Sequence, residues 1–147
     1  MSTHQNAGTA VFYKDNILLA KRVEIYDGKP VKFGGYWSIF AGRVEDGESP
    51  YAAAERELYE ESKIKSCGRN IIRYFKSFYA DDYEFLFYTL ELDHLALPQL
   101  CDEHTEYGWF QIDSLENFPE KLDDAILKCI LAYSTVSYTH LTLPTTP

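Results

Sequence analysis

The chain has 147 residues, the usual size of one domain, and its 14 basic and 23 acidic residues give a net charge of −9. Surfaces that bind duplex nucleic acid are usually basic, so this charge argues against duplex nucleic acid as a partner. No apolar run reaches transmembrane length, and no basic segment followed by an apolar run marks a signal peptide, so we expect no association with a membrane.

Two short apolar runs near the N-terminus predict a β-hairpin. Thr9–Tyr13 and Ile17–Lys21 lie on either side of the polar sequence Lys14-Asp15-Asn16, which suits a turn. Residues 1–8 are small and polar, and we expect them to fray.

A long connection is predicted after the hairpin, because Val23–Tyr36 contains several glycines and a proline. Loops of this length are often functional. Lys32 lies on this loop, where it could contact a ligand, and Tyr36 at the end of the loop could stack on a base. We therefore predict Lys32 and Tyr36 as substrate-binding residues.

A strand and a strong helix signal follow. Trp37–Ala41 predicts a strand, and Gly42–Gly47 predicts the loop that leads from it into the helix. Ser49 is a good N-cap, and Pro50 suits the first helical position. The alanines, the leucine and the charged residues that come next favour helix.

Three acidic residues of this helix, Glu57, Glu60 and Glu61, stand at positions i, i+3 and i+4. This spacing puts their carboxylates on one face, with Cβ atoms roughly 5–6 Å apart, and each like-charge pair costs about 0.2–0.5 kcal/mol. A hard cation such as Mg²⁺ binds carboxylate oxygens, so in its presence the closeness of the carboxylates becomes favourable. On spacing alone, a metal-binding face and a solvated acidic face remain equal alternatives.

The whole stretch from Gly42 to Ile64 fits the pattern G-x5-E-x7-R-E-U-x-E-E-x-G-U, where U is a bulky apolar residue. The matching residues are Gly42, Glu48, Arg56, Glu57, Leu58, Glu60, Glu61 and Ile64. The pattern resembles the Nudix box, the signature of the Nudix hydrolase family. One position departs, since Lys63 stands where the family has a glycine. That glycine normally ends the helix in a left-handed conformation, in which another residue costs about 1 kcal/mol.

The resemblance implies roles for residues of the box. In the family the glutamate after the arginine often serves as the base, which here is Glu57, and Arg56 would orient it. Glu57, Glu60 and Glu61 would supply oxygen ligands to a metal, with the Gly42 carbonyl as a further ligand. The implied cofactor is Mg²⁺, with Mn²⁺ as an alternative.

The second half of the chain predicts three more strands and a helix. Asn70–Phe78 and Tyr83–Leu92 are β-rich, and the second is apolar enough for a buried strand. Leu95–Thr105 predicts a polar connection, and Glu106–Ile112 a further strand. Lys121–Tyr133 has apolar residues at helical spacing, which predicts an amphipathic helix packed on a sheet. The resulting order β, β, β, α, β, β, β, α indicates an α/β fold, in agreement with the Nudix-type mixed β-sheet sandwiched between α-helices that the resemblance implies.

Three charged residues outside the acidic helix face are further candidates. Nudix proteins often supply an additional catalytic or metal-binding glutamate from the region before the last strand, where Glu103 and Glu106 stand. Arg43, directly after Gly42, is a candidate contact for a substrate phosphate.

The three cysteines, Cys67, Cys101 and Cys129, are widely spaced and form no CxxC or Cys/His metal pattern. An odd number of cysteines without such a pattern is typical of free thiols in a reducing compartment. We therefore predict a cytoplasmic protein.

Residues 1–135 are predicted to form a single Nudix hydrolase domain. The remaining segment, 136–147, contains four threonines and no Asp, Glu, Lys or Arg. It resembles the conceptual translation of a transposon-type sequencing adapter, so we expect a non-native, adapter-derived tail. A natural threonine-rich tail is the alternative.

The resemblance implies Mg²⁺-dependent hydrolysis of a diphosphate bond in a nucleoside diphosphate linked to another moiety. Nucleoside triphosphates, ADP-ribose, nucleotide sugars and dinucleoside polyphosphates all remain open as substrates, because loops outside the box select the ligand. The alternatives are a non-catalytic Nudix-like nucleotide-binding or regulatory domain, and an isomerase of small diphosphates on the same fold. The expected partner is thus a small-molecule nucleotide. The oligomeric state is left open, with a homodimer as one option.

Overall fold

A seven-stranded mixed sheet forms the centre of the fold, and a helix packs on each of its two faces. The computed structural model describes residues 4–80 and 82–142, with side chains described up to residue 136. Among the described residues, no helix is long and apolar enough to cross a membrane. The strands are β1 (His4–Tyr13), β2 (Asn16–Arg22), β3 (Ile25–Tyr26), β4 (Lys29–Pro30), β5 (Trp37–Ser38), β6 (Phe40–Arg43), β7 (Arg73–Ala80), β8 (Tyr83–Glu91) and β9 (His104–Gln111). The helices are α1 (Pro50–Ser62), a 3₁₀ helix (Ile112–Asn117) and α2 (Asp124–Thr142). The predicted α/β class is confirmed.

The central strand is β1, because it pairs with three others. Its second half pairs antiparallel with β2, with Val11 opposite Leu18, which confirms the predicted hairpin. Its first half pairs antiparallel with β6, and almost its whole length runs parallel to β8. The prediction that residues 1–8 fray is wrong for residues 4–8, since β8 pairs with all of them and β6 pairs with residues 6–8. Residues 1–3 lie outside the described residues.

The alternation of β1 divides the core into two layers. Ala7 and Val11 lie in the cluster that also contains Leu58 of α1, whereas Ala10 and Phe12 lie in the cluster that contains Ile130 of α2. Successive side chains of a strand point to opposite faces, so one sheet can carry both helices. This arrangement fixes α1 against β1 and β6, which is where the predicted site lies.

Local signals set both ends of α1. The Ser49 side chain accepts a hydrogen bond from the Ala52 main-chain N–H at 3.1 Å, and Pro50 occupies the first turn, as predicted. At the other end Lys63 is left-handed, with φ 65° and ψ 12°, and its N–H donates to the Tyr59 carbonyl. Lys63 thus ends the helix in the conformation that the glycine of the box adopts.

Several predicted boundaries differ from the structure. The loop Val23–Tyr36 contains the small hairpin of β3 and β4, and the predicted strand Trp37–Ala41 is divided at Ile39 into β5 and β6. The division has a physical reason, because β5 pairs with β2 whereas β6 pairs with β1. The predicted start of the 42–47 loop is wrong, since β6 runs on through Arg43.

The C-terminal elements also differ from their predictions. The helix predicted at Lys121–Tyr133 begins at Asp124 and continues to Thr142, and the 3₁₀ helix before it was not predicted. The proposed tail falls partly on this helix and partly on residues 143–147, which lie outside the described residues. The boundary at residue 135 therefore stays a prediction.

The left-handed end of α1 generates a stability prediction. We expect Lys63→Gly to stabilise the protein by at most about 1 kcal/mol, because glycine has no Cβ to strain in this conformation. The gain should be reduced by loss of the contact between the Lys63 ammonium and the Tyr59 ring, 5.0 Å from its centroid. Urea unfolding measures the difference.

Lys63→Ala is the matched control for this substitution. It removes the same ammonium group but keeps a Cβ in the left-handed conformation. We therefore expect no increase in its free energy of unfolding. Equal stability of the Gly and Ala variants would show that backbone strain at residue 63 is negligible.

Candidate active site

Arg56 joins the acidic helix to the loop before it. Its Nε and Nη2 donate to the two carboxylate oxygens of Glu48 at 2.8 and 3.0 Å. Its Nη1 donates to Oε1 of Glu57 at 2.7 Å and lies 3.4 Å from Glu60. The Arg43 carbonyl accepts a further bond from Nη2 at 3.1 Å. One guanidinium therefore positions three carboxylates and the end of β6.

Glu48 holds the loop in place. Its Oε1 accepts a hydrogen bond from the Glu45 main-chain N–H at 3.1 Å, and its two oxygens receive Arg56 side by side. The pKa of Glu48 is lowered to about 2, chiefly by the hydrogen bonds from Arg56 and then by the Glu45 N–H. Glu48 is therefore ionised at neutral pH and supports Arg56 from the loop side.

Glu61 is a buried acid on the inner face of α1. It is only 4% exposed, and its Oε1 accepts a hydrogen bond from the Ala41 main-chain N–H at 3.2 Å. Burial raises the pKa of Glu61 well above its ordinary value, and the contact with the Glu57 carboxyl and its charge raise it further. The charges of Glu103 and Cys101 act in the same direction. Acidic groups thus crowd around Glu61 from α1 and from the segment before β9.

Gly42 lies directly against one of these acids. A Cβ added to Gly42 would collide with the carboxylate of Glu57, so only glycine leaves room for that side chain. The backbone of Gly42 does not need a positive φ, and the requirement is one of space alone. The main chain of β6 and the Glu57 carboxylate are therefore in close approach.

The four predicted metal ligands differ in exposure. Glu57 is 14% exposed and Glu60 56%, whereas Glu61 lies underneath them in the core. Within residues 4–80 and 82–142, no three His, Cys, Asp or Glu side chains already stand in a metal-coordinating arrangement. Instead, Arg56 contacts Glu57 and Glu60, and the Ala41 N–H donates to Glu61.

The donor set nevertheless has the chemistry that a hard cation requires. Carboxylate and carbonyl oxygens are the ligands that Mg²⁺ prefers. The Glu61 carboxyl, crowded by Glu57 and Glu103, is an acidic group whose ionised form a cation would stabilise. Because Gly42 has no Cβ, the Glu57 carboxylate lies directly against the main chain of β6.

The structure separates the two additional glutamates. Glu103 contributes its charge to the Glu61 cluster, so it lies close to the acidic helix. Glu106 lies on β9 opposite Lys21, and its carboxylate is 4.0 Å from the Lys21 ammonium. Of the two candidates, Glu103 is the one whose charge acts on Glu61.

The predicted substrate contacts lie in two places. Arg43 is at the end of β6, beside the Glu48 loop, and its Nη2 lies 2.9 Å from Nδ1 of His4. Lys32 and Tyr36 both contact Phe33 on the long loop, with distances of 5.7 and 5.5 Å to its ring centroid. Arg43 thus meets the acidic site through its carbonyl, which Arg56 contacts, while its side chain contacts His4. Lys32 and Tyr36 lie on a separate loop.

Sequence reasoning named neither Cys101, which lies near Glu61, nor its neighbour His104 as a site residue. His104 opens β9 with its ring against Phe40, and its Nδ1 is 4.0 Å from the Cys101 sulfur. Burial, and then the Arg22 charge, lowers the pKa of His104 to about 4, so the ring is neutral at pH 7. No local pattern marks these residues, because the fold brings Arg22 and His104 together from distant parts of the chain.

Comparison with known proteins agrees with this geometry. The model of the NUDIX domain family matches residues 2–131. A structure of MutT from work on Aliivibrio salmonicida and Vibrio cholerae is 26% identical, with a TM-score of 0.66, over 88% of this chain and 98% of that one. A MutT/nudix family protein from Listeria innocua is 22% identical, with a TM-score of 0.71, over 96% and 98% of the two chains.

Two further similarities are more limited. The NUDIX domain of Shewanella oneidensis NrtR, solved with ADP ribose, has a TM-score of 0.73 at 15% identity, over 92% of this chain and 90% of that one, and so supports the fold alone. A curated octanoyltransferase from Myxococcus xanthus is 53% identical over 32 residues, which are 22% of this chain and only 9% of that protein. So short a match assigns no activity.

The family match over residues 2–131 agrees with the Gly42–Ile64 box and with the acidic site that α1 builds on β6. This chain therefore belongs to the Nudix family.

Proposed function

We propose that this enzyme hydrolyses a diphosphate bond in a nucleoside diphosphate linked to another moiety, with Mg²⁺ as its cofactor and Mn²⁺ as a substitute. The observation that carries the proposal is the crowding of acidic groups around the buried carboxyl of Glu61. Such crowding is unfavourable in the protein alone and becomes favourable when a cation is bound.

Four groups would hold the metal: the carboxylates of Glu57, Glu60 and Glu61 and the carbonyl of Gly42. When bound there, the ion would supply neutralisation of the diphosphate charge and a more acidic water. We propose Glu103 as a further carboxylate of this cluster, since its charge raises the pKa of Glu61. Glu106 is the weaker candidate, because its carboxylate faces Lys21.

We propose Glu57 as the general base. The Glu57 carboxylate would take a proton from a water molecule while the water oxygen forms a bond to phosphorus and the bridging P–O bond breaks. The leaving oxygen departs with the electron pair of that bond. Arg56 orients Glu57 through the 2.7 Å hydrogen bond, and Glu48 fixes Arg56 from the other side. Arg43, at the edge of this site, is the proposed contact for a substrate phosphate.

The substrate is proposed to be a small nucleotide, with nucleoside triphosphates, ADP-ribose and nucleotide sugars as the main classes. The similarity to a NUDIX domain solved with ADP ribose places that compound in the first set to be assayed. Lys32 and Tyr36 are proposed to bind the part of the substrate away from the diphosphate, because they lie on the long loop.

A panel of these nucleotides, assayed with and without Mg²⁺ for release of phosphate, pyrophosphate or nucleoside monophosphate, tests the proposal. We expect metal-dependent cleavage of at least one class. Tight nucleotide binding without any metal-dependent turnover would instead favour a non-catalytic binding domain, and conversion without cleavage would favour an isomerase.

The proposed base generates a kinetic prediction. Replacing Glu57 by Gln removes the proton acceptor but keeps its size, so we expect kcat to fall by about 10²–10⁴-fold, the usual contribution of general base catalysis. Steady-state assays at saturating Mg²⁺ measure the loss.

Glu55→Gln is the matched control, since Glu55 is an exposed residue of the same helix. It should keep the activity of the wild type. Similar kcat values for the Glu57 and Glu55 variants would remove Glu57 from the chemistry.

Glu48 generates a prediction about pH. Its pKa is about 2 in the folded protein and 4.5 ordinarily, so the ionised form favours folding. This contribution is present in full above about pH 4.5 and is lost as the pH falls toward 2. We therefore expect Glu48→Gln to lower the thermal midpoint of unfolding at neutral pH. The difference in midpoint between variant and wild type should become smaller as the pH falls from about 4.5 toward 2. A difference in midpoint that stays constant down to pH 2 would mean that ionisation of Glu48 contributes nothing to the stability of the fold.

A further inference from the structure

β7 is an edge strand with an unusual surface. It lies at one end of the strand order of the sheet, with β8 beside it. Two of its tyrosines are strongly exposed, Tyr74 at 53% and Tyr79 at 74%. An exposed edge presents main-chain N–H and C=O groups that can pair with another strand. Aromatic side chains next to such an edge are typical of protein interfaces.

The aromatic residues of β7 form a palindrome around Lys76-Ser77, with Tyr74-Phe75 before this pair and Phe78-Tyr79 after it. A register shift between Tyr74 and Lys76 makes Phe75 and Lys76 share one position of the ladder with β8. Counted in this way, β7 has seven ladder positions, from Arg73 opposite Thr89 to Ala80 opposite Tyr83. Ser77 is the middle position.

The bulge also brings the matching residues of the palindrome onto the same faces. Tyr74 pairs with Tyr88, and Tyr79 with Glu84, so both tyrosines lie on one face of the sheet. Phe75 and Phe78 both pack on Phe87 on the other face. A regular strand could not do this, because residues an odd number apart point to opposite faces.

We propose that β7 pairs with β7 of a second copy of this chain, antiparallel and about a two-fold axis at Ser77. Each Tyr74 then stands opposite Tyr79 of the second copy on the same face, and Phe75 opposite Phe78 on the other. A two-fold interface must be self-complementary in this way, and aromatic pairs across strands stabilise it. The small Ser77 side chain lets the two strands approach at the axis.

The proposed register also keeps the basic residues of β7 apart. The strand carries Arg73 and Lys76 and no acid. Arg73 would stand opposite Ala80 of the second copy, and Lys76 opposite Phe78, so no two like charges are directly opposite each other.

Cysteine cross-linking tests the register directly. In a Cys67→Ser background, which removes the exposed cysteine, we expect Ser77→Cys to form a disulfide-linked dimer under mild oxidation. Directly opposite residues of antiparallel strands have Cα atoms about 4.5–5.5 Å apart, within the range of a disulfide. Ala80→Cys is the matched control, because the two Ala80 positions would be about 20 Å apart at roughly 3.3 Å per residue.

Sedimentation velocity of the wild-type chain over a concentration series gives an independent result. We expect a dimer that Ser77→Lys disrupts, because two like charges would then stand opposite each other. Gln111→Lys, which adds the same charge to the exposed end of β9, should leave the dimer intact. A wild-type monomer at all concentrations, or equal cross-linking through residues 77 and 80, would overturn the proposal and show that Lys76 and the bulge keep this edge unpaired.

Discussion

The buried carboxyl of Glu61 is the constraint on which the site depends. It lies on the face of α1 that also carries Leu58 and the core alanines, where a polar group is costly unless it has partners. The Ala41 N–H supplies one hydrogen bond, and the acids around it increase the cost of ionisation. Ionisation of Glu61 is therefore less favourable in the protein than in water, and a cation bound at these acids would offset that cost.

The rest of the fold holds that carboxyl in place. β1 fixes β6 on one side and β8 on the other, and β6 presents Ala41 to Glu61 and Gly42 to Glu57. Above this layer, Arg56 ties the ionised Glu48 of the loop to Glu57 of the helix. The sheet, the loop and the helix thus meet at the acidic residues. We therefore expect a substitution in one of these elements to alter the positions of acidic residues held by the others.

The box was predictable because its information is local. The cap at Ser49, the helix and its left-handed end at Lys63 all follow from neighbouring residues. The exposures of Glu60 and Glu61 were not predictable from their shared helix face, because contact with β6 buries only one of them. Likewise the distinction between Glu103 and Glu106 depends on the pairing of β9 with β2, which no short pattern specifies.

Calorimetric titration of Mg²⁺ into the substrate-free protein, in buffers of different ionisation enthalpy, tests the central claim most directly. Burial first, and then the neighbouring acids, raise the pKa of Glu61, so a cation bound at these acids should favour its ionised form. We therefore expect Mg²⁺ binding to release protons and the measured heat to depend on the buffer. Glu61→Gln should lose this dependence, while Glu55→Gln keeps it. Mg²⁺ binding that Glu61→Gln leaves unchanged would contradict the claim that these carboxylates form the metal site.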